Sequence, residues 1–343
     1  MRYLIVFITI IFILMALAGC TTWQIERAHP PIGAYVEAGK TRLHYVDIGP
    51  VDSGRPPVVL LHGASANLKD MKVALGDGLS ADTRVLIFDR PGRGYSSRPD
   101  QGYRVADQAR LIHDALQKLE IENPVILGQS FGGIVALSYA LQYQDEMAGL
   151  VLLAPVSHEW PGGVVWYNEA SQVPVLGFFL RRALVPLMGP LKLRDSAGGA
   201  FWPRQPPENY IEDTGLPLLF RPKDFKANAA DIANLKPQIA DMVARYDTLT
   251  VPTLIYAGTH DVTVSPTIHS YILDQQLQNS SLVLIEDEGH GLHHTSSAQI
   301  LDGVREMLGT LTAQAADAVT IERVLPEDGA PQTPVTEQTP AQK

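Results

Sequence analysis

The sequence predicts an open α/β sheet, mostly parallel, flanked by helices and interrupted by one helical insertion. Three observations predict it. Short β-branched apolar runs are continuous rather than alternating, as in strands buried on both faces. Helix-length patterns separate those runs in regular alternation. One interval, Pro155 to Pro237, breaks the rhythm: it holds eleven of the 25 prolines and no clear strand.

Each segment can be justified in chain order. Residues 1–19 begin with Arg2 as a minimal positive region, and Leu4 to Ala18 is an uncharged apolar run. That run falls short of the roughly 20 residues that span a bilayer comfortably, and suits a signal-peptide core with small residues at its end. Residues 20–33 read as a tether. Arg42 to Val46 alternates polar and apolar, as an antiparallel edge hairpin does. Val58–Leu61, Val85–Phe88, Val125–Leu127 and Leu150–Leu153 are buried strands, and Val105–Leu119 and Gly132–Tyr143 are helices. The proline-rich interval, bounded as 156–246, reads as a cap of short bent helices. The sheet resumes with Thr253–Ala257 and Leu282–Ile285, accompanied by helices Pro266–Gln276 and Ser296–Leu311. The sheet domain therefore comprises 34–155 and 247–312. Residues 313–343, with four prolines after Asp317 and few large apolar side chains, are expected to be disordered.

Composition removes several functional classes. A single cysteine in 343 residues excludes an intrachain disulfide and a Cys-rich zinc module. With 27 Lys+Arg against 37 Asp+Glu, the formal net charge of −10 disfavours nucleic acid as a partner. No metal-ligand spacing and no cofactor fingerprint appear, so neither a metal nor a cofactor is expected.

The chemistry is carried by Gly128-Gln129-Ser130-Phe131-Gly132-Gly133, which follows a strand and opens a helix. In this G-x-S-x-G elbow the serine occupies a strained turn that lifts its hydroxyl above the sheet, and the flanking glycines avoid collisions. With His62-Gly63-Ala64-Ser65, Asp89 to Ser96 and Gly258-Thr259-His260-Asp261, the sequence resembles the α/β-hydrolases over about Ala34 to Leu311. The order Ser130, Asp261, His290 matches that family's nucleophile, acid and base. Serine is a weak nucleophile unless a base takes its proton, and an imidazole titrating near 6.5 suits the task. Asp261 would orient His290 and stabilise the imidazolium. The family sometimes places the acid one strand earlier, but Ala154-Pro155-Val156 offers no carboxylate. The resemblance puts the oxyanion donors at the backbone amides of Ala64 and Phe131.

Leu17-Ala18-Gly19-Cys20 resembles a bacterial lipobox. That resemblance implies cleavage before Cys20, lipidation of its thiol, and a protein anchored to a membrane of the cell envelope, outside the cytoplasm. An ordinary N-terminal membrane anchor is the alternative reading of this segment.

The expected activity is cleavage of a carboxylic ester or related acyl bond of a small molecule with an apolar acyl or alcohol part. Carbon–carbon bond hydrolysis, cofactor-free peroxidation and acyl transfer run on the same triad, and a non-catalytic lipid-anchored binding protein is the alternative from another class. Among competing residues, His293 and His294 are expected at the surface, Glu286, Asp287 and Glu288 in a solvated acidic turn, and Asp89 to Ser96 in a structural turn. Trp160, Trp166, Tyr167, Phe178 and Phe179 are assigned to the cap interior ahead of a pocket lining.

Overall fold

A computed structural model describes residues 1–324 of the chain. The apolar runs become eight strands: β1 (Ala34–Ala38), β2 (Thr41–Ile48), β3 (Val58–Leu61), β4 (Val85–Phe88), β5 (Val125–Gln129), β6 (Gly149–Leu153), β7 (Thr253–Gly258) and β8 (Ser280–Ile285). They form one sheet in the order β1-β2-β4-β3-β5-β6-β7-β8. β1, β2 and β4 pair antiparallel, and all later neighbours pair parallel. The alternating segment is thus a hairpin whose second strand is internal, with β1 at the edge. Every residue of β3, β4, β5 and β6 is buried, as their unbroken apolar runs require. β8 differs. Its apolar run closes the opposite edge and stays half-exposed.

Helices cover both faces. Val105–Lys118 and Phe131–Tyr143 pack on one side, over a core that includes Ile112, Val135 and Ile255. On the other side Ile300, Val304 and Leu308 of the last helix cover Val58, Leu127 and Val151. That last helix runs from Ser297 to Val324. Residues 313–324, expected to be disordered, are therefore helical as far as Val324. The stretch AQAADAVTIERV has no proline before Pro326 and contains four alanines, the strongest helix formers. Residues 325–343 lie outside the described residues.

The insertion between β6 and β7 is helical, with Pro174–Phe179, Val185–Phe201, Pro222–Ala233 and Lys236–Val243 as its main elements. It has a small core of its own, including Leu193, Phe220 and Phe225. Asp231 clasps it to the sheet: its carboxylate accepts from Arg90 at 3.0 Å and from Arg98 at 2.6 Å, and Arg90 and Asp231 are fully buried. Removing one partner from such a pair costs about 3–5 kcal/mol.

The N-terminal helix spans Arg2–Ala28, so most of the expected tether (20–33) is helical. It continues because Ala18 and Ile25 find a buried face against the cap, Ile25 joining the cap core.

Candidate active site

Sequence places Ser130 between a strand and a helix, and the backbone shows why only glycines serve beside it. Ser130 has φ +53°, a strained value for a non-glycine residue, and its amide donates to the Leu153 carbonyl at 2.9 Å. A Cβ on Gly132 would collide with the Leu61 carbonyl, and one on Gly128 with the Gly132 carbonyl. The elbow is thus held by close backbone approach on both sides. Phe131 heads the following helix, so its amide has no partner within that helix. The Ala64 amide makes no hydrogen bond among the described residues.

Loops at the strand ends bring the acid and base together. Asp261 follows β7 and is buried, its Oδ1 accepting from the Thr263 and Val264 amides at 2.8 Å each. Its Oδ2 lies 2.7 Å from His290 Nδ1. With the Nδ1 proton directed at Asp261, Nε2 is left as the acceptor. At present the Gln129 amide donates to that nitrogen at 3.3 Å, while Ser130 Oγ makes no hydrogen bond among the described residues. Ser130, Gln129, His290 and Ala64 share the lining of a cavity of about 800 Å³. Its far wall is apolar and comes from the cap, including Leu184, Val185, Met188 and Phe225.

Structural roles absorb several competing residues. His62 bonds the Gly63 carbonyl through Nδ1 and accepts the Arg90 amide through Nε2; burial and the Arg90 guanidinium push its pKa down to about 3. Arg90 and Arg93, in the structural turn Asp89 to Ser96, are fully buried and bonded to His62, Ala66, Asp224 and Asp231. His269, which the sequence did not single out, takes the Ser157 and His158 amides at its Nδ1, and burial with His158 nearby pushes its pKa down to about 4.

Three expectations need correction. His293 and His294 are not at the surface. Their Nε2 atoms bond the two oxygens of buried Asp70 at 3.0 and 2.9 Å, and Tyr210 packs edge-on against His294. Burial opposes ionisation of Asp70, but the two imidazoles outweigh it and hold the carboxyl far below the usual range. These ligand-capable atoms lie within 4.8 Å of one another. The Nε2 of each imidazole engages a carboxylate oxygen at hydrogen-bond distance, whereas His293 Nδ1 is buried without a partner among the described residues. No local signal marked Asp70, which lies 223 residues from His293.

Glu288 is the second correction: it is fully buried and accepts from Thr295, Ser296 and Arg204, while Glu286 and Asp287 are exposed. Third, the cap aromatics are mostly outside. Trp166, Tyr167, Phe178 and Phe179 are exposed, Trp166 and Tyr167 also line the cavity, and only Trp160 packs on the core. Cys20 is exposed on the N-terminal helix.

Comparison with known proteins agrees with this architecture. A family model described as the alpha/beta hydrolase fold matches residues 56–183. The chain has the α/β-hydrolase fold. A thermophilic esterase from Thermogutta terrifontis superposes with a TM-score of 0.65 at 22% identity, over 81% of this chain and 98% of the esterase. Among curated sequences, a proline iminopeptidase from Pestalotiopsis fici is 26% identical over 301 residues, 80% of this chain and 98% of its own. Haloalkane dehalogenase 2 from Mycobacterium tuberculosis is 27% identical over 294 residues, covering 82% and 96%. Chains similar to this one thus carry several different hydrolase names.

Proposed function

We propose that the chain is a serine hydrolase that cleaves a carboxylic ester, or a related acyl bond, through an acyl-enzyme. The observation that carries this reading is the 2.7 Å Asp261–His290 pair, with Asp261 fixed by two backbone amides and His290 sharing a cavity with a strained Ser130. Ser130 Oγ attacks the acyl carbon as its proton passes to His290 Nε2, and the Gln129 amide gives way at that nitrogen. The carbonyl oxygen, now an oxyanion, takes hydrogen bonds from the free Ala64 and Phe131 amides. His290 returns the proton to the leaving alcohol, and water, activated by the same imidazole, then releases the acid. Asp261 keeps the imidazole in the required tautomer and stabilises its charged form.

Serine at the elbow argues against dehalogenase chemistry, because the dehalogenase branch of this fold uses aspartate there. The apolar far wall favours a substrate with a hydrocarbon acyl or alcohol part. The lipobox-like Leu17–Cys20 supports a lipid anchor at Cys20 and a location on a membrane of the cell envelope, the outer membrane in a bacterium that has one.

A fluorophosphonate probe tests the activity. The full chain labels, and Ser130→Ala does not. An unlabelled wild type sinks the proposal.

A further inference from the structure

Large apolar side chains left in solvent are concentrated in two places. Of the 28 exposed among the described residues, ten lie within the first 23 residues and twelve between 165 and 202, leaving six for the rest of the chain. Isolated exposed apolar residues are ordinary, whereas a contiguous field of them marks an interaction surface.

The two places form one surface. Ile11, Met15, Ala18, Thr22 and Ile25 recur at helical spacing and are the covered stripe of the N-terminal helix. The elements it packs against are Leu180–Leu184, Val185–Phe201 and Leu216–Phe220, all in the cap. Its remaining sides, with Phe12, Leu17 and Trp23, are bare. On the cap, Leu191 of the helix it packs against and Val175 and Leu176 of the segment before Leu180–Leu184 are 72%, 71% and 55% exposed.

The chemistry of this field fits a lipid bilayer. Thr9–Ala28 and Pro174–Phe201 are both long and apolar enough to cross a membrane. The second does not cross one: its Leu193, Ala197 and Phe201 are buried in the protein, and it carries four cations, Arg181, Arg182, Lys192 and Arg194. An apolar segment with one face in a protein core and basic side chains at its border lies along a membrane interface. The chain as a whole has a net charge of −10, yet residues 165–202 hold those four cations against only Glu169 and Asp195. That local excess suits anionic headgroups. The same segment forms the mouth of the cavity, because Trp166, Leu184 and Met188 are exposed to the outside and also line the interior.

We propose that the outer face of the cap docks on an anionic lipid bilayer, and that the substrate is a membrane-dissolved amphiphilic ester that enters the cavity from the lipid side. Docking stands on the surface alone, and the substrate assignment rests on the hydrolase reading above. Lipobox processing would remove residues 1–19 and leave the twelve exposed apolar side chains of 165–202 as the docking face, with acylated Cys20 at the new N-terminus.

The test uses the full chain reconstituted in vesicles of phosphatidylcholine and phosphatidylglycerol, with a triple variant Val175→Glu, Leu176→Glu, Leu191→Glu. None of the three residues lines the cavity. The first readout is quenching of Trp166 by brominated-chain lipid, taken as the difference between the chain and Trp166→Phe. Seating about 5–10 Å into the headgroup boundary puts this indole within reach of the bromines, so its emission falls. The second readout compares a long-chain ester dissolved in the vesicles with p-nitrophenyl acetate in water. In the triple variant, Trp166 quenching is lost and vesicle-ester turnover drops about tenfold or more, since charges are poorly tolerated in the interface, while p-nitrophenyl acetate turnover is unchanged. Should the triple variant fail to fold, Val175→Glu alone carries the comparison. Trp166 unquenched in the unmodified chain overturns the docking, whether the face is bare or covered by a second copy that the triple variant splits off. Quenching without any p-nitrophenyl acetate turnover leaves docking intact and sinks the hydrolase reading.

Discussion

Two buried aspartates each bond histidine nitrogens beside one cavity, and replacing each by asparagine separates what they do. Asp261→Asn keeps an acceptor for the Thr263 and Val264 amides, but it can present an amide N–H to His290 Nδ1. The imidazole then carries its proton on Nε2, the nitrogen that must accept from Ser130. Loss of the correct tautomer costs about 10⁴ in kcat in a serine triad, or roughly 5 kcal/mol of barrier. Asp70→Asn acts elsewhere. Its carboxylate accepts from His293 and His294 at 3.0 and 2.9 Å. Hydrogen bonds to a charged group are worth about 1.5–3 kcal/mol and neutral ones about 0.5–1.5, so two demoted bonds cost about 2–3 kcal/mol. At about 2–4 °C per kcal/mol for a domain approaching this size, Tm falls by roughly 5–10 °C. The assay is p-nitrophenyl ester turnover at a temperature where both variants are folded, with Tm measured alongside. Asp261→Asn is expected inactive and nearly as stable as the parent; Asp70→Asn is expected active and less stable. If Asp70→Asn loses turnover with an unchanged Tm, the base belongs to the second cluster and the assignment of His290 is refuted.

Three further outcomes follow from the geometry. Gly132→Ala drives a methyl into the Leu61 carbonyl, which cannot swing aside as a side chain would; overpacking of this kind costs about 1–3 kcal/mol and occasionally more, and soluble chain of parental Tm would contradict it. His62 and His269 have folded pKa values pushed down to about 3 and 4, so each stays neutral when folded but takes up a proton on unfolding below about 6.5. Their stabilisation is full above that pH and declines as pH falls toward the folded values, by about 2 kcal/mol each at pH 5; His269→Asn should remove one share of the slope between pH 7 and 5 in urea titrations, and an unaltered slope refutes it. Cys20→Ser should abolish incorporation of labelled fatty acid, and a variant that is still labelled excludes the lipobox.

What sequence disclosed and what it withheld divide along one physical line. β3 to β6 were legible because a strand buried on both faces writes its environment into consecutive residues. The elbow was legible because its strain and its two close backbone approaches admit only glycine at 128 and 132. Asp70 was not, since its partners lie on a distant loop and an isolated aspartate carries no local mark. Glu288 was misread as solvated for the same reason: Arg204, Thr295 and Ser296 reach it only in the folded chain. The cap aromatics failed differently. Apolar residues were assigned inward, a rule that holds when water is the only solvent outside. Trp166, Phe178 and Phe179 stand outward, and beside an apolar helix packed on the same cap that exposure becomes intelligible once lipid is the solvent they face. The least readable quarter of the sequence is therefore the part whose environment the sheet does not supply, and it is the part that borders the mouth of the cavity.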